Sequence, residues 1–266
     1  MPFTRALGLT WIDIDAGTVS LRLPYSDGVG DTAGAVDARA IMAVLDHACS
    51  AALFGALGGP APIATLDLRV AFARPVPPGS DILLSAHASH VDHAVAHITA
   101  TARAASSGLT VATAAAAFFL GASPGGTRGN PAGARRLNEV PGVFHAEAVQ
   151  GYASFDQFLG LDDAATGARM AFAERLVGAV ALPALHGGVV ASLLATAAAR
   201  LVAGESARRL AAISVQYLRA AKAEMAVASA AFDKRGARAN LVSASASQGE
   251  GTREVARAQC IFIAGA

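Results

Sequence analysis

An internal repeat limits more than any other feature what this chain can fold into. Leu7-Gly8-Leu9 recurs as Leu159-Gly160-Leu161, the apolar stretch Ala38–Leu53 recurs as Gly187–Val202, and Thr65–Arg74 recurs as Leu210–Arg219, all in the same order. Each half then closes on three alternating stretches suited to strands, near 81–91, 94–105 and 109–120 in the first half and near 224–232, 237–248 and 252–263 in the second. Ser106-Ser107-Gly108 and Gln248-Gly249-Glu250-Gly251 supply turn residues between the last two stretches of each half, as hairpins require. Residues 121–142 are rich in glycine and carry Pro124, Pro131 and Pro141, which cannot continue a helix or a central strand. The sequence therefore predicts a first domain over 1–120, a linker over 121–143 and a second domain over 144–266, two copies of one unit.

The expected unit is an early strand or two, one long helix, then about four antiparallel strands. In Ala38–Leu53 the residues Ile41, Met42, Val44, Leu45, Ala48, Cys49, Ala52 and Leu53 leave the helix apolar nearly all round. A helix without a wide polar face is buried. A sheet wrapped around it would bury it, which is the hotdog arrangement, so the predicted class is α+β, a tandem double hotdog. A chain of 266 residues can bury such cores.

Composition excludes several roles. The net charge is +1 and only 15% of residues are charged, so no strong field draws nucleic acid or an anionic membrane, and neither is expected as a partner. The Ala-rich runs, interrupted by Arg200, Arg208 and Arg209, read as too short to span a bilayer. Met1-Pro2-Phe3-Thr4-Arg5 shows no basic segment followed by an apolar one, so a cytoplasmic location is expected. The two cysteines, Cys49 and Cys260, lie in apolar segments and read as buried reduced thiols. There is no paired-cysteine or His-Glu-x-x-His spacing, so no metal is expected.

The chemistry concentrates at the two helix starts. Leu185-His186-Gly187-Gly188-Val189-Val190 opens the second long helix, but nine residues after His186 stands Ala195. Val36-Asp37-Ala38-Arg39 opens the first helix without glycines, but nine residues after Asp37 stands Asp46. Glycines let backbone approach a ligand closely, and the first amides of a helix have no internal partner, so they can polarise a carbonyl oxygen. Asp46, midway along an apolar helix, needs a partner or a cavity, and a desolvated carboxylate is a candidate base or nucleophile. Positions nine apart on one helix are about 13 Å apart, too far to share one carbonyl. A working site therefore needs Gly187 from one half and Asp46 from the other. The converse pair, Ala38 with Ala195, has neither glycine nor acid and is expected to be inactive. Asp37 reads as a helix cap, and the Thr65 hydroxyl as a group that orients water near Asp46, a role closed to its counterpart Leu210. The spacing of His87, His90, His93 and His97 does not place them all on one strand face. Arg69, Arg74, Arg208, Arg209 and Arg219 are candidates for the phosphates of a CoA tail, or solvated side chains.

On Leu185–Val190, on Asp46 and on the strand Thr65–Pro75, the chain resembles the PaaI-type acyl-CoA thioesterases of the 4-hydroxybenzoyl-CoA thioesterase superfamily. The resemblance implies that the Gly187 amide polarises a thioester carbonyl, that Asp46 acts as base or nucleophile, that Thr65 holds water, and that His186 and Gly188 shape the carbonyl pocket. It implies an acyl-CoA or related thioester as substrate, with CoA part of the substrate and no cofactor, and a homodimer giving four hotdog units. The sequence departs from the family at Gly178–Pro183, where an Asn donor is often found and none is present. A non-catalytic acyl-CoA or fatty-acyl binding protein is the alternative. A hydratase is a third reading; it requires an Asp/His pair, and His47 is expected to point to a different side of the helix from Asp46, since neighbours are about 100° apart.

Overall fold

A computed structural model describes residues 2–121, 151–162, 167–179, 182–205, 208–249 and 253–264. Beyond Gly121, the expected linker lies outside the described residues. The first half contributes a short helix α1 (Pro2–Ala6), strands β1 (Thr10–Asp15) and β2 (Thr18–Leu23), the long helix α2 (Ala38–Leu57), and strands β3 (Ile63–Phe72), β4 (Ile82–Val91), β5 (Val95–Ala104) and β6 (Thr110–Leu120). The second half contributes α3 (Phe155–Leu159), β7 (Ala168–Met170), β8 (Val177–Ala179), β9 (Leu182–Leu185), α4 (Gly187–Val202), β10 (Arg208–Tyr217), β11 (Ala226–Lys234), β12 (Ala239–Gln248) and β13 (Arg253–Ala264).

Eleven of these strands form one antiparallel sheet in the order β1-β2-β4-β5-β6-β3-β10-β13-β12-β11-β7. This is a hotdog-fold α+β protein. The order reads the same from both ends inward if β3 is matched to β10, β6 to β13, β5 to β12 and β4 to β11. The two halves meet where β3 pairs with β10, and there Arg69 sits opposite Ser214. These two residues occupy the same place in the repeat, so a local twofold axis passes between them. Register shifts also recur at matching places, between Thr65 and Asp67 in one half and between Leu210 and Ala212 in the other. The halves differ at their outer ends. The second has only the three-residue β7 there, and β8 and β9 form a separate hairpin leading into α4.

Alternation along the strands supplies the core. In β5 the even-numbered residues from Ala96 to Ala104 are all buried, or nearly so, while the odd-numbered ones are more exposed. Helix α2 lies against β2, β4 and β5, α4 lies against β11, β12 and β13, and the two helices pack on each other. α2 is longer than the sequence suggested. Phe54–Leu57 continue its apolar run, and it stops at Gly58, which takes the left-handed conformation (φ 74°) that a side chain would resist. At 20 residues α2 is long and apolar enough to cross a bilayer by length and composition, contrary to the expectation that no run reaches that length; here it is mostly buried within the protein. Each short helix crosses to the opposite half. α1 packs on the turn Glu174–Leu176 and on β8, and α3 packs on the turn Asp27–Val29, where the Phe155 amide donates to the Gly30 carbonyl.

Candidate active site

Where α2 passes the start of α4, three elements converge. Asp46 is 4% exposed, and its Oδ2 accepts the Gly188 amide at 2.8 Å. His186 caps α4, and its Nδ1 accepts the same amide at 3.1 Å, 3.5 Å from Asp46 Oδ2. Tyr217, the last residue of β10, donates its hydroxyl to the Gly187 carbonyl at 3.0 Å. The Gly187–Gly188 peptide is thus held at both ends, by a tyrosine on its oxygen and a carboxylate on its nitrogen. The amide of Gly187 itself has no acceptor among the described residues and stands at the positive end of the helix dipole.

Both glycines are required by crowding rather than by unusual backbone angles. A Cβ on Gly187 would stand 2.8 Å from Asp46 Oδ2, and one on Gly188 would stand 2.4 Å from the Cα of Ala43. Only a bare backbone lets α4 approach α2 this closely.

Burial sets the charges. Desolvation pushes the Asp46 carboxyl up to about 7, against the opposing pull of the Gly188 amide and the Thr65 hydroxyl. Its Oδ1 has no hydrogen-bond partner within bonding distance among the described residues. Burial lowers His186 to about 3, so its imidazole is neutral and its contact with Asp46 is not an ion pair. Two acceptors instead compete for one N–H, which adds to the reasons for Asp46 to hold a proton. The Tyr217 phenol is pushed well up, first by burial and then by Asp46. Thr65 lies half-buried in β3 beside the register shift.

The structure thus brings together Asp46, Thr65, His186, Gly187 and Gly188. Sequence reasoning missed Tyr217. The repeat aligns it with Phe72, and a hydroxyl present in only one half was the available signal. It did not give the neighbours of His47, whose ring lies 6.1 Å from that of His186 and edge-on to Trp11 at 5.9 Å. The 100° step turns His47 away from Gly188, but toward the ring of the residue that caps α4. Phe3 of α1 stacks on the other side of His186 at 4.5 Å. The strand histidines stay outside: His87, His90, His93 and His97 are exposed, with His90 opposite His97. Among the arginines, Arg69 pairs with Asp67, Arg208 with Glu205, and Arg209 donates to the Phe72 carbonyl; Arg74 and Arg219 are exposed. Cys49 and Cys260 are free thiols, both buried.

The opposite helix start holds a different structure. Asp37 caps α2 by accepting the Arg39 amide at 2.7 Å. The Arg39 guanidinium pairs with Asp37 and Asp156, each at 2.6 Å, donates to Thr196 Oγ1 at 2.8 Å, and lies over the Phe155 ring. Ala195, where an acid would stand, is buried. An arginine side chain occupies the space at this end.

Two family descriptions match the chain, one in each half. "Thioesterase superfamily" matches residues 40–111, and "Acyl-CoA thioesterase N-terminal domain" matches residues 178–263. No curated protein sequence matches it. Similar solved structures include a tesB protein of Mycobacterium avium subsp. paratuberculosis, at 12% identity and TM-score 0.60 with 93% of each chain covered. The 12:0-ACP thioesterase of Umbellularia californica aligns at 11% identity and TM-score 0.61, covering 92% of this chain and 94% of that one. A protein of unknown function with a hotdog fold from Alicyclobacillus acidocaldarius aligns at 14% identity and TM-score 0.62, covering 100% of this chain and 98% of that one. Each half of the chain thus matches a thioesterase family description, and the whole shares the hotdog fold of these structures.

Proposed function

We propose that the protein is an acyl-CoA thioesterase of PaaI-like type, a fused pair of hotdog units each wrapped on its long helix, with one working site composed of Asp46 and Thr65 from the first half and His186, Gly187 and Gly188 from the second. The observation that carries the reading is the buried Asp46 carboxyl, raised to about 7, lying against a glycine helix start whose Gly187 amide has no acceptor among the described residues. A base is most effective when its pKa lies near the working pH.

In this reading the thioester carbonyl oxygen takes the Gly187 amide. Asp46 accepts a proton from a water that the Thr65 hydroxyl helps to hold. The water oxygen attacks the carbonyl carbon, and negative charge builds on the oxygen facing the helix start. The carbon–sulfur bond then breaks. The thiolate of CoA leaves and takes the proton from Asp46, giving a free acid and a free thiol. Both thioesterase-family matches and the thioesterase names among the structural neighbours support hydrolysis.

Asp46→Asn keeps the shape and removes the base. Thiol release from a series of acyl-CoA and acyl-ACP substrates is expected to fall by about a hundredfold or more, with substrate affinity retained. Undiminished turnover in that variant overturns the assignment. Binding without thiol release in the unaltered protein points instead to an acyl-CoA binding protein.

A further inference from the structure

His47 is a costly residue that the hydrolytic step does not use. It is 3% exposed, and both ring nitrogens are buried without a hydrogen-bond partner among the described residues. Burial lowers its pKa well below the ordinary value, so the ring is neutral and offers one N–H donor and one nitrogen acceptor. Around it stand Trp11 edge-on, the ring of His186, and Asp46 immediately before it on α2, and the positive charge of the chain's amino terminus adds to the lowering. A leucine or phenylalanine would fill the same space without leaving two polar atoms unpaired. A satisfied polar site, in contrast, rejects a ligand that lacks the matching group far more strongly than an apolar site rejects an added one.

The position matters as much as the chemistry. His186 is near both residues, 3.5 Å from the Asp46 carboxylate oxygen and with its ring centre 6.1 Å from that of His47. A thioester carbonyl at the start of α4 would lie beside His186, whose ring centre is 6.1 Å from that of His47. Resting on the hydrolytic reading above, we infer that His47 selects acyl groups bearing a hydroxyl or keto oxygen close to the thioester, by pairing that oxygen with its ring. A plain alkyl chain leaves the ring unsatisfied.

The test compares β-hydroxybutyryl-CoA with butyryl-CoA. The unaltered protein is expected to prefer the hydroxylated substrate by about tenfold or more in kcat/KM, the scale of one buried hydrogen bond. His47→Leu should bring the two substrates to near parity while keeping or improving turnover of butyryl-CoA. His47→Gln, which retains an amide N–H, should recover part of the preference. Equal turnover of both substrates by the unaltered protein, or an unchanged ratio in His47→Leu, overturns the inference. The corresponding non-hydrolysable thioethers, titrated calorimetrically, separate this from the hydrolytic reading. A preference in binding that His47→Leu abolishes upholds the role of His47 even if no thioester is cleaved. Hydrolysis without any preference upholds the thioesterase and rejects the selection. A native thermal transition for each variant shows that folding is not what changed.

Discussion

The two helix starts of this molecule are built on one plan and have diverged in opposite directions. At the start of α4, two glycines bring backbone against α2, and a carboxylate from α2 meets a backbone amide. At the start of α2, a glycine position of the other copy is Arg39, the acid position is Ala195, and the arginine side chain fills the space between the halves. On the function proposed above, a paired site is divided between copies: each half keeps only the component that the working site draws from it, so Asp46 has no reason to be repeated in α4, nor the glycines in α2. The released end is then free to become a clamp, and Arg39 ties α2 to Asp156 and Thr196 of the other half.

This contrast can be broken experimentally. The largest effect is expected from Gly188→Ala. Its new methyl group would overlap Ala43 backbone, forcing α2 and α4 apart, at a cost of about 3 kcal/mol or more in denaturant unfolding, with activity lost. An alanine accommodated without loss would mean that the close approach of the helices is not a constraint.

Next in size is the pH response, because the buried acid at one end, Asp46, meets a backbone amide, while the buried acid at the other, Asp37, is paired with Arg39. Between the ordinary carboxylate pKa near 4 and about 7, folded Asp46 keeps a proton that the unfolded chain has released. Its contribution to stability therefore falls as pH rises through that window, by up to about 1.4 kcal/mol per pH unit, and levels off above it. Burial of His186 works in the opposite sense, removing stability as pH falls from about 6.5 toward about 3. Denaturation curves of the unaltered protein and Asp46→Asn, subtracted at each pH, isolate the first effect. Thiol release should rise with pH around an inflection near 7. A difference curve that is flat between pH 4 and 7 would show that Asp46 is not desolvated.

The smallest effect is expected at the clamp. Arg39→Ala should cost roughly 1–2 kcal/mol of stability, since it leaves Asp37 with its backbone cap but without its guanidinium. Hydrolysis at the glycine end should persist. Loss of hydrolysis with the fold intact would show that the two ends are coupled rather than divided.

Much of this architecture was readable because periodic patterns carry it. The strand stretches, the start of each long helix, and the repeat that makes Arg69 and Ser214 equivalent are all visible in the residues. The geometric reason for drawing Asp46 and Gly187 from different halves was also legible, since a rigid helix fixes distances along itself. What escaped depends on the packing of elements far apart in the chain. The linear order does not say that α1 would cross over and set Phe3 on His186, or that β10 would end with Tyr217 beneath Gly187. Arg39 looked like an ordinary charged residue in the first turn of a helix until its three partners, two of them from the other half, were in place. The neighbours of His47 were not legible because an angular step around one helix says nothing about which residue stands at that angle.

The seam between β3 and β10 has a practical corollary for handling this polypeptide. Main-chain hydrogen bonds, rather than the connecting segment, join the two copies there, and α1 and α3 each grip the opposite copy. A chain nicked between residues 121 and 151 should therefore travel as one particle on a sizing column. Co-expressed fragments should find each other as the two parts of a split reporter do. Either fragment alone would present a raw β-strand margin, and insolubility is the outcome to plan for.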